Sequence, residues 1–161
     1  MITRKIAMVG HWGVGKTSLV QQFVSQQFSE KYLATLGVKI DKKQVSVNNQ
    51  TVNMVLWDIA GAEDNFSIPM HYVKGSAGYL LVLDGTRPES LEAAQEITAN
   101  IEKSCPGLPY CMAVNKCDLD TVINDTNLAE SGLGSDWIRT SAKTGEGVEA
   151  IFASLARKLL D

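Results

Sequence analysis

The chain lacks most of the features that would assign it at a glance. Its cysteines, Cys105, Cys111 and Cys117, are three in number and cannot all pair. Their spacing fits no zinc pattern and no histidine lies near them, so they read as packing thiols in a reduced setting. No apolar stretch approaches the roughly 18 residues needed to span a bilayer. In the opening MITRKIAMVG the apolar run extends only from Ile6 to Val9, so a secretory signal is not expected. No basic run is present that would bind anionic lipid. A formal net charge of -3 and a pI near 5.4 argue against nucleic acid held by bulk charge. Repeats, low-complexity tracts and interdomain linkers are absent as well. These absences lead us to expect a cytoplasmic protein with no nucleic-acid partner.

What is present is ordinary for a globular chain: 161 residues, 45% hydrophobic and 20% charged. That length suits one domain, residues 1–161, with one sizeable core. Short apolar runs alternate with helical patterns, which predicts an α/β fold. Lys5 to Val9 reads as a buried strand, and a helix is expected from about Lys16 to Gln27. Val38 to Val47 and Val52 to Ile59 flank NNQ, where Asn48 and Asn49 tolerate the left-handed conformation of a tight antiparallel hairpin. Tyr79 to Leu83 and Tyr110 to Val114 are continuous apolar runs, as in strands covered on both faces. In TRPE, Thr86 is positioned to cap a helix, with Pro88 in its first turn and Glu89 three residues on. Leu91, Ala94, Ile97 and Ile101 give that helix one apolar face. Val148, Ile151, Phe152, Leu155, Ala156 and Leu159 give another to the last helix. Between Leu119 and Asp136 the pattern weakens, predicting a short helix or an irregular loop.

GHWGVGKT, from Gly10 to Thr17, fits G-x-x-x-x-G-K-[ST], and it follows a strand and opens a helix as that motif requires. Backbone N–H groups of such a loop point at phosphates, and glycines let the backbone approach closely. Lys16 adds a cation for the terminal phosphates, and Thr17 adds a hydroxyl for magnesium. Gly10, Gly13, Val14, Gly15, Lys16, Thr17 and Ser18 are therefore candidate phosphate-binding residues. The loop alone does not separate ATP from GTP. NKCD does, because it follows the strand ending at Val114, on the sheet edge where ligands gather. The Asp118 carboxylate can accept the N1–H and N2 amine of guanine, a donor pair that adenine lacks. Asn115 and Lys116 can brace the loop and cover the base.

With these motifs in order, the chain resembles a small GTPase of the Ras superfamily, nearest to the Rab branch. The resemblance runs from Lys5 to about Leu160 and includes TLGVKI, WDIAGAE and TSAKTGEG. It implies a G domain: a mostly parallel six-stranded sheet with one antiparallel edge strand and helices on both faces. It implies GTP and GDP binding with magnesium, and a signalling switch. Thr35 would bind magnesium and sense the γ-phosphate, Asp58 would hold magnesium through water, and the Gly61 N–H would touch the γ-phosphate. Lys16, Thr35 and Gly61 are thus the expected catalytic contacts. Ser141, Ala142 and Lys143 would support the guanine, with the Ala142 backbone near its carbonyl oxygen, and Phe28 would pack edge-on against it. An effector, an exchange factor and an activating protein would dock through residues 29–40 and 60–74. Trp57 suits either that surface or the core.

Three departures from the family pattern stand out. The chain ends ARKLLD with no terminal cysteine for prenylation, so no direct membrane anchor is expected in it. Either a tail has been trimmed or no lipid anchor is used. Ala62 stands where the family has a glutamine that orients the attacking water. Trp12 stands where a glycine or small residue is common, beside the γ-phosphate. It either crowds that phosphate or swings out to solvent and touches a partner. His11 and His71 read as surface residues rather than substitutes for the glutamine. The expectation is slow GTP hydrolysis. The alternatives are a nucleotide-binding module with negligible hydrolysis and a GTPase using a non-standard catalytic group.

Overall fold

A computed structural model of the chain describes residues 1–24, 31–33, 38–59 and 70–160. The strands are β1 (Ile2–Gly10), β2 (Lys31–Leu33), β3 (Val38–Val47), β4 (Gln50–Ile59), β5 (Gly78–Asp84), β6 (Tyr110–Asn115) and β7 (Trp137–Arg139). The helices are α1 (Lys16–Val24), α2 (Met70–Val73), α3 (Pro88–Ser104), α4 (Asp125–Glu130) and α5 (Val148–Leu160). The strands form one sheet in the order β2-β3-β4-β1-β5-β6-β7. Within it lies the expected mixed sheet of six strands. β4, β1, β5, β6 and β7 run parallel, and β3 runs antiparallel to β4. The three-residue β2 adds to the outer side of β3.

Alternation along β1 divides the core. Ile6 and Met8 join Leu19, Phe23, Phe152 and Leu155 on the face covered by α1 and α5. Ala7 and Val9 join Leu81, Ala94, Ile97 and Ile101 on the face covered by α3. Successive strand side chains point to opposite faces, so one strand feeds both layers. Phe23 and Phe152 stack with centroids 3.8 Å apart, tying α1 to α5. Every residue of β5 is buried, as its unbroken apolar run predicts for a strand covered on both sides.

The hairpin takes its predicted form: Asn48 and Asn49 have φ of 51° and 64°, and Val47 pairs with Gln50. The start of α3 differs from expectation. Its N-cap is Arg87, with Pro88 next in the first turn. The Thr86 hydroxyl donates instead to the Asp84 carboxylate at 2.6 Å. The weakly patterned stretch after Leu119 holds α4, started by reciprocal bonds between Asn124 and Asn127. The stretch of the expected first helix beyond Val24 lies outside the described residues.

Candidate functional site

The parallel strands β1, β4, β5 and β6 deliver Gly10, Asp58, Asp84 and Asn115 to one edge of the sheet, where ligands of α/β sheets bind. The loop from Gly10 turns into α1 and is held by close contact. A Cβ at Gly10 would lie 2.4 Å from the Val82 carbonyl oxygen, and one at Gly15 would lie 2.4 Å from the Asn115 amide nitrogen. No side chain larger than hydrogen fits at either position. Val14 is fully buried and anchors the loop in the core. Lys16 Nζ curls back to the Gly10 carbonyl at 3.2 Å. The arrangement leaves a helix N-terminus with a cation beside it, which suits a polyanion.

Asn115 joins the distant parts of this edge. It is 1% exposed. Its Nδ2 donates to the Val14 carbonyl at 3.0 Å, and its Oδ1 accepts from Thr140 Oγ1 and the Ala142 N–H, both at 3.1 Å. Lys116 adopts a left-handed φ of 68°. Its ammonium donates to the Gly13 carbonyl at 2.9 Å and pairs with Asp84 at 2.9 Å. Ser141 Oγ donates to Asp118 Oδ1 at 2.7 Å and accepts from the Thr144 N–H at 3.0 Å. A cleft of about 640 Å³ opens between these motifs, lined by Gly15, Ser18, Asn115, Asp118, Ala142 and Lys143 among others.

Thr17, at the start of α1, meets Asp58, near the end of β4: the hydroxyl donates to the carboxylate at 2.5 Å. Asp58 is 3% exposed. This hydroxyl and carboxylate are hard oxygen donors, the chemistry that magnesium takes, so the pair fits that metal.

Trp12 projects from the loop with half of its surface exposed. The Arg87 guanidinium lies over its ring, 5.2 Å from the centroid, and Nη2 of Arg87 donates to the Trp12 carbonyl at 2.6 Å. Burial first, then the nearby Arg87 charge, hold the His11 imidazole below its ordinary pKa, so it is neutral near pH 7.

The sequence-derived site residues from Gly10 to Ser18, with Asp58, Asn115, Lys116, Asp118, Ser141, Ala142 and Lys143, thus gather on one edge. Phe28, Thr35, Gly61 and Ala62 lie outside the described residues, as do half of 29–40 and most of 60–74. Sequence reasoning missed Asp84, Arg87 and Thr140. Asp84 carries a visible signal: it ends an apolar strand run as Asp58 does. Arg87 and Thr140 carry none, because their roles depend on partners far along the chain. Among the described residues no helix is long and apolar enough to cross a membrane.

Comparison with known proteins agrees with this geometry. The Ras family model matches residues 5–161. Ras-related protein Rab5 of Nicotiana tabacum is 35% identical, over 98% of this chain and 82% of its own length. Ras-related protein Rab-4A of Danio rerio is 35% identical, over 98% and 76%. Ras-related protein Rab-1D of Dictyostelium discoideum is 31% identical, over 96% and 78%. The glycine-rich loop of residues 10–17 and the loop of residues 115–118, bridged by Asn115 on one sheet edge, accord with these matches, which make this chain a Rab-like member of the Ras family of small, GTP-binding GTPases.

Proposed function

We propose that the chain is a GTP/GDP switch, built as a single G domain, that hydrolyses GTP slowly. Asn115 is the observation that carries this reading. It bonds to the phosphate loop with one end and to residues 140–142 with the other. A nucleotide along the cleft would have phosphates in one motif and base in the other. N–H groups of the loop and Lys16 hold the phosphates, with Ser18 at the wall of the cleft. Asp118 accepts from guanine, oriented by Ser141, while Lys116 and Lys143 cover the base and Phe28 packs against it.

Magnesium, when bound, offsets phosphate charge. Thr17, Asp58 through water and, with GTP, Thr35 are the residues that would hold it. Thr35 and the Gly61 N–H contact the γ-phosphate, and hydrolysis releases both segments. A partner that binds only the ordered segments reads the state. Residues 29–40 and 60–74 form that surface for effector, exchange factor and activating protein. Ile40 lies opposite Trp57 across the hairpin, and the Trp57 ring lies 6.4 Å from that of Tyr72, which supports an apolar patch there. Three unbridged thiols support a cytoplasmic setting.

Slow turnover follows from two residues. Ala62 has no amide to orient water, and the Trp12 indole crowds the γ-phosphate or the route by which an arginine from outside reaches it. Single-turnover hydrolysis tests this. The expected rate is at or below about 10⁻⁴ s⁻¹, with GTP bound before the reaction and GDP after it. A protein that binds GTP and never converts it would be a binding module instead. One that binds neither nucleotide would overturn the reading.

A further inference from the structure

Two consecutive carbonyls of the phosphate loop are each held by a cation. Lys116 Nζ takes the Gly13 carbonyl and Arg87 Nη2 takes the Trp12 carbonyl. Both cations rest on one buried oxygen, Asp84 Oδ2, at 2.9 Å and 3.0 Å. Asp84 is held in turn by the Thr86 N–H and hydroxyl through its other oxygen. The result is a fixed post from which two arms reach the outer side of the loop.

A peptide group is planar and trans, so its carbonyl and its N–H point in opposite directions. Fixing the Trp12 carbonyl outward therefore aims the Gly13 N–H inward. Gly13 itself has a φ of 73° and no side chain to restrain it, so the peptide before it would otherwise turn easily. We infer that Arg87 is a positioning residue: by pinning the Trp12 carbonyl it aims the Gly13 N–H into the phosphate cradle. Stacking on the indole keeps the guanidinium in place, since a cation within about 6 Å of a ring centroid is attracted to its face. This inference rests on the reading of residues 10–17 as the phosphate cradle. It adds a tether that the sequence motifs do not contain.

The test uses release of fluorescently labelled GDP, together with hydrogen exchange at the Gly13 amide. Losing one charge-assisted hydrogen bond in Arg87→Ala is expected to speed release about tenfold and to raise exchange at Gly13. Arg87→Lys keeps a charge beside Asp84 but lacks the planar fork that reaches carboxylate and carbonyl together. It should keep the melting temperature of the wild type and still release GDP fast. Trp12→Ala keeps the carbonyl but removes the ring on which the guanidinium rests, so its rate of release should fall between those of wild type and Arg87→Ala. If both Arg87 variants release GDP like wild type, or if Gly13 exchange does not change, the tether is overturned while the nucleotide reading stands. Wild-type protein that binds no labelled GDP would overturn that reading and the purpose of the tether with it.

Discussion

The side chain of Asn115 donates to the carbonyl of Val14, a residue 101 positions earlier in the chain. A buried amide thereby links the glycine-rich loop after β1 to the loop after β6 and to residues 140–142, with its oxygen shared by Thr140 and Ala142. Asn115→Ala removes three hydrogen bonds, two of them fully buried. At roughly 1 kcal/mol for each bond, more where a buried group is left unpaired, the loss should be about 2–4 kcal/mol. Thermal melting with GDP bound checks the stability, and nucleotide release should accelerate in parallel. A variant as stable as wild type would mean that the two loops are held together by other contacts.

Asp118 is expected to set base specificity. Ser141 already orients one of its oxygens at 2.7 Å, and the residue lines the cleft. A site built on hydrogen bonds to a donor pair rejects analogues that lack it by roughly 10⁴ or more. Asp118→Asn replaces an acceptor with a group that can also donate, so GTP should weaken and xanthine nucleotides should improve. Competition binding with GTP, XTP and ATP measures this. Equal ATP and GTP affinity in the wild type would exclude Asp118 as the reader of guanine.

Much of this architecture is legible in the sequence because its causes are local. The apolar run of β5 has no polar face because both faces are covered. The hairpin turns where two asparagines accept left-handed φ, and the stripe on α5 is buried at every position read from its spacing. β7 is harder to read: it is three half-buried residues containing an arginine, with neither length nor alternation to mark it. Thr86 looks like a cap by position, yet the helix starts one residue later, with Arg87 as its N-cap, and the Thr86 hydroxyl goes to Asp84. The bond from Arg87 to Trp12 joins positions 75 apart. No motif spacing encodes it, because it exists only once β1 and β5 lie side by side. Phe28, Thr35, Gly61 and Ala62 were placed by motif alone and fall outside the described residues.

Asp84 should contribute to the acid limit of stability. Burial pushes its pKa up, but the Thr86 hydroxyl, then Lys116 and the Thr86 N–H, outweigh burial and leave it below the ordinary value of 3.8. A carboxyl whose folded pKa is depressed stabilises the fold fully above its unfolded pKa, about 3.9. That contribution is lost as pH falls through the lower folded value. Asp84→Asn should therefore cost about 1–3 kcal/mol near pH 7, since its cationic partners are partly exposed. The gap from wild type should be flat down to about pH 5 and close below about pH 4. Denaturant unfolding across pH 7 to 3 measures it. A gap that persists unchanged at pH 3 would show that the ionised form is not what stabilises the post.

On the proposed reading, Trp12 and Ala62 are expected to slow hydrolysis together. The indole is half exposed, with the Arg87 guanidinium over its ring, so it is a bulky group at the rim of the loop where a small residue would leave access. An arginine supplied by an activating partner contributes about 10³–10⁵ in rate, and an indole on its route forfeits that gain. Ala62 removes the orienting amide at the same time. On that reading both act at one phosphate, so their effects should not simply add. Single-turnover phosphate release from wild type, Trp12→Gly, Ala62→Gln and the pair forms the cycle. Ala62→Gln alone should gain little while the indole remains, and Trp12→Gly alone should gain little without an orienter. The pair should accelerate well beyond the product of the two single effects. A pair no faster than wild type, or a wild type already faster than about 10⁻² s⁻¹, the rate of GTPases with an arginine in cis, would place the catalytic group elsewhere. His71 beside Tyr72, with ring centroids 4.1 Å apart, would then be the first residue to replace.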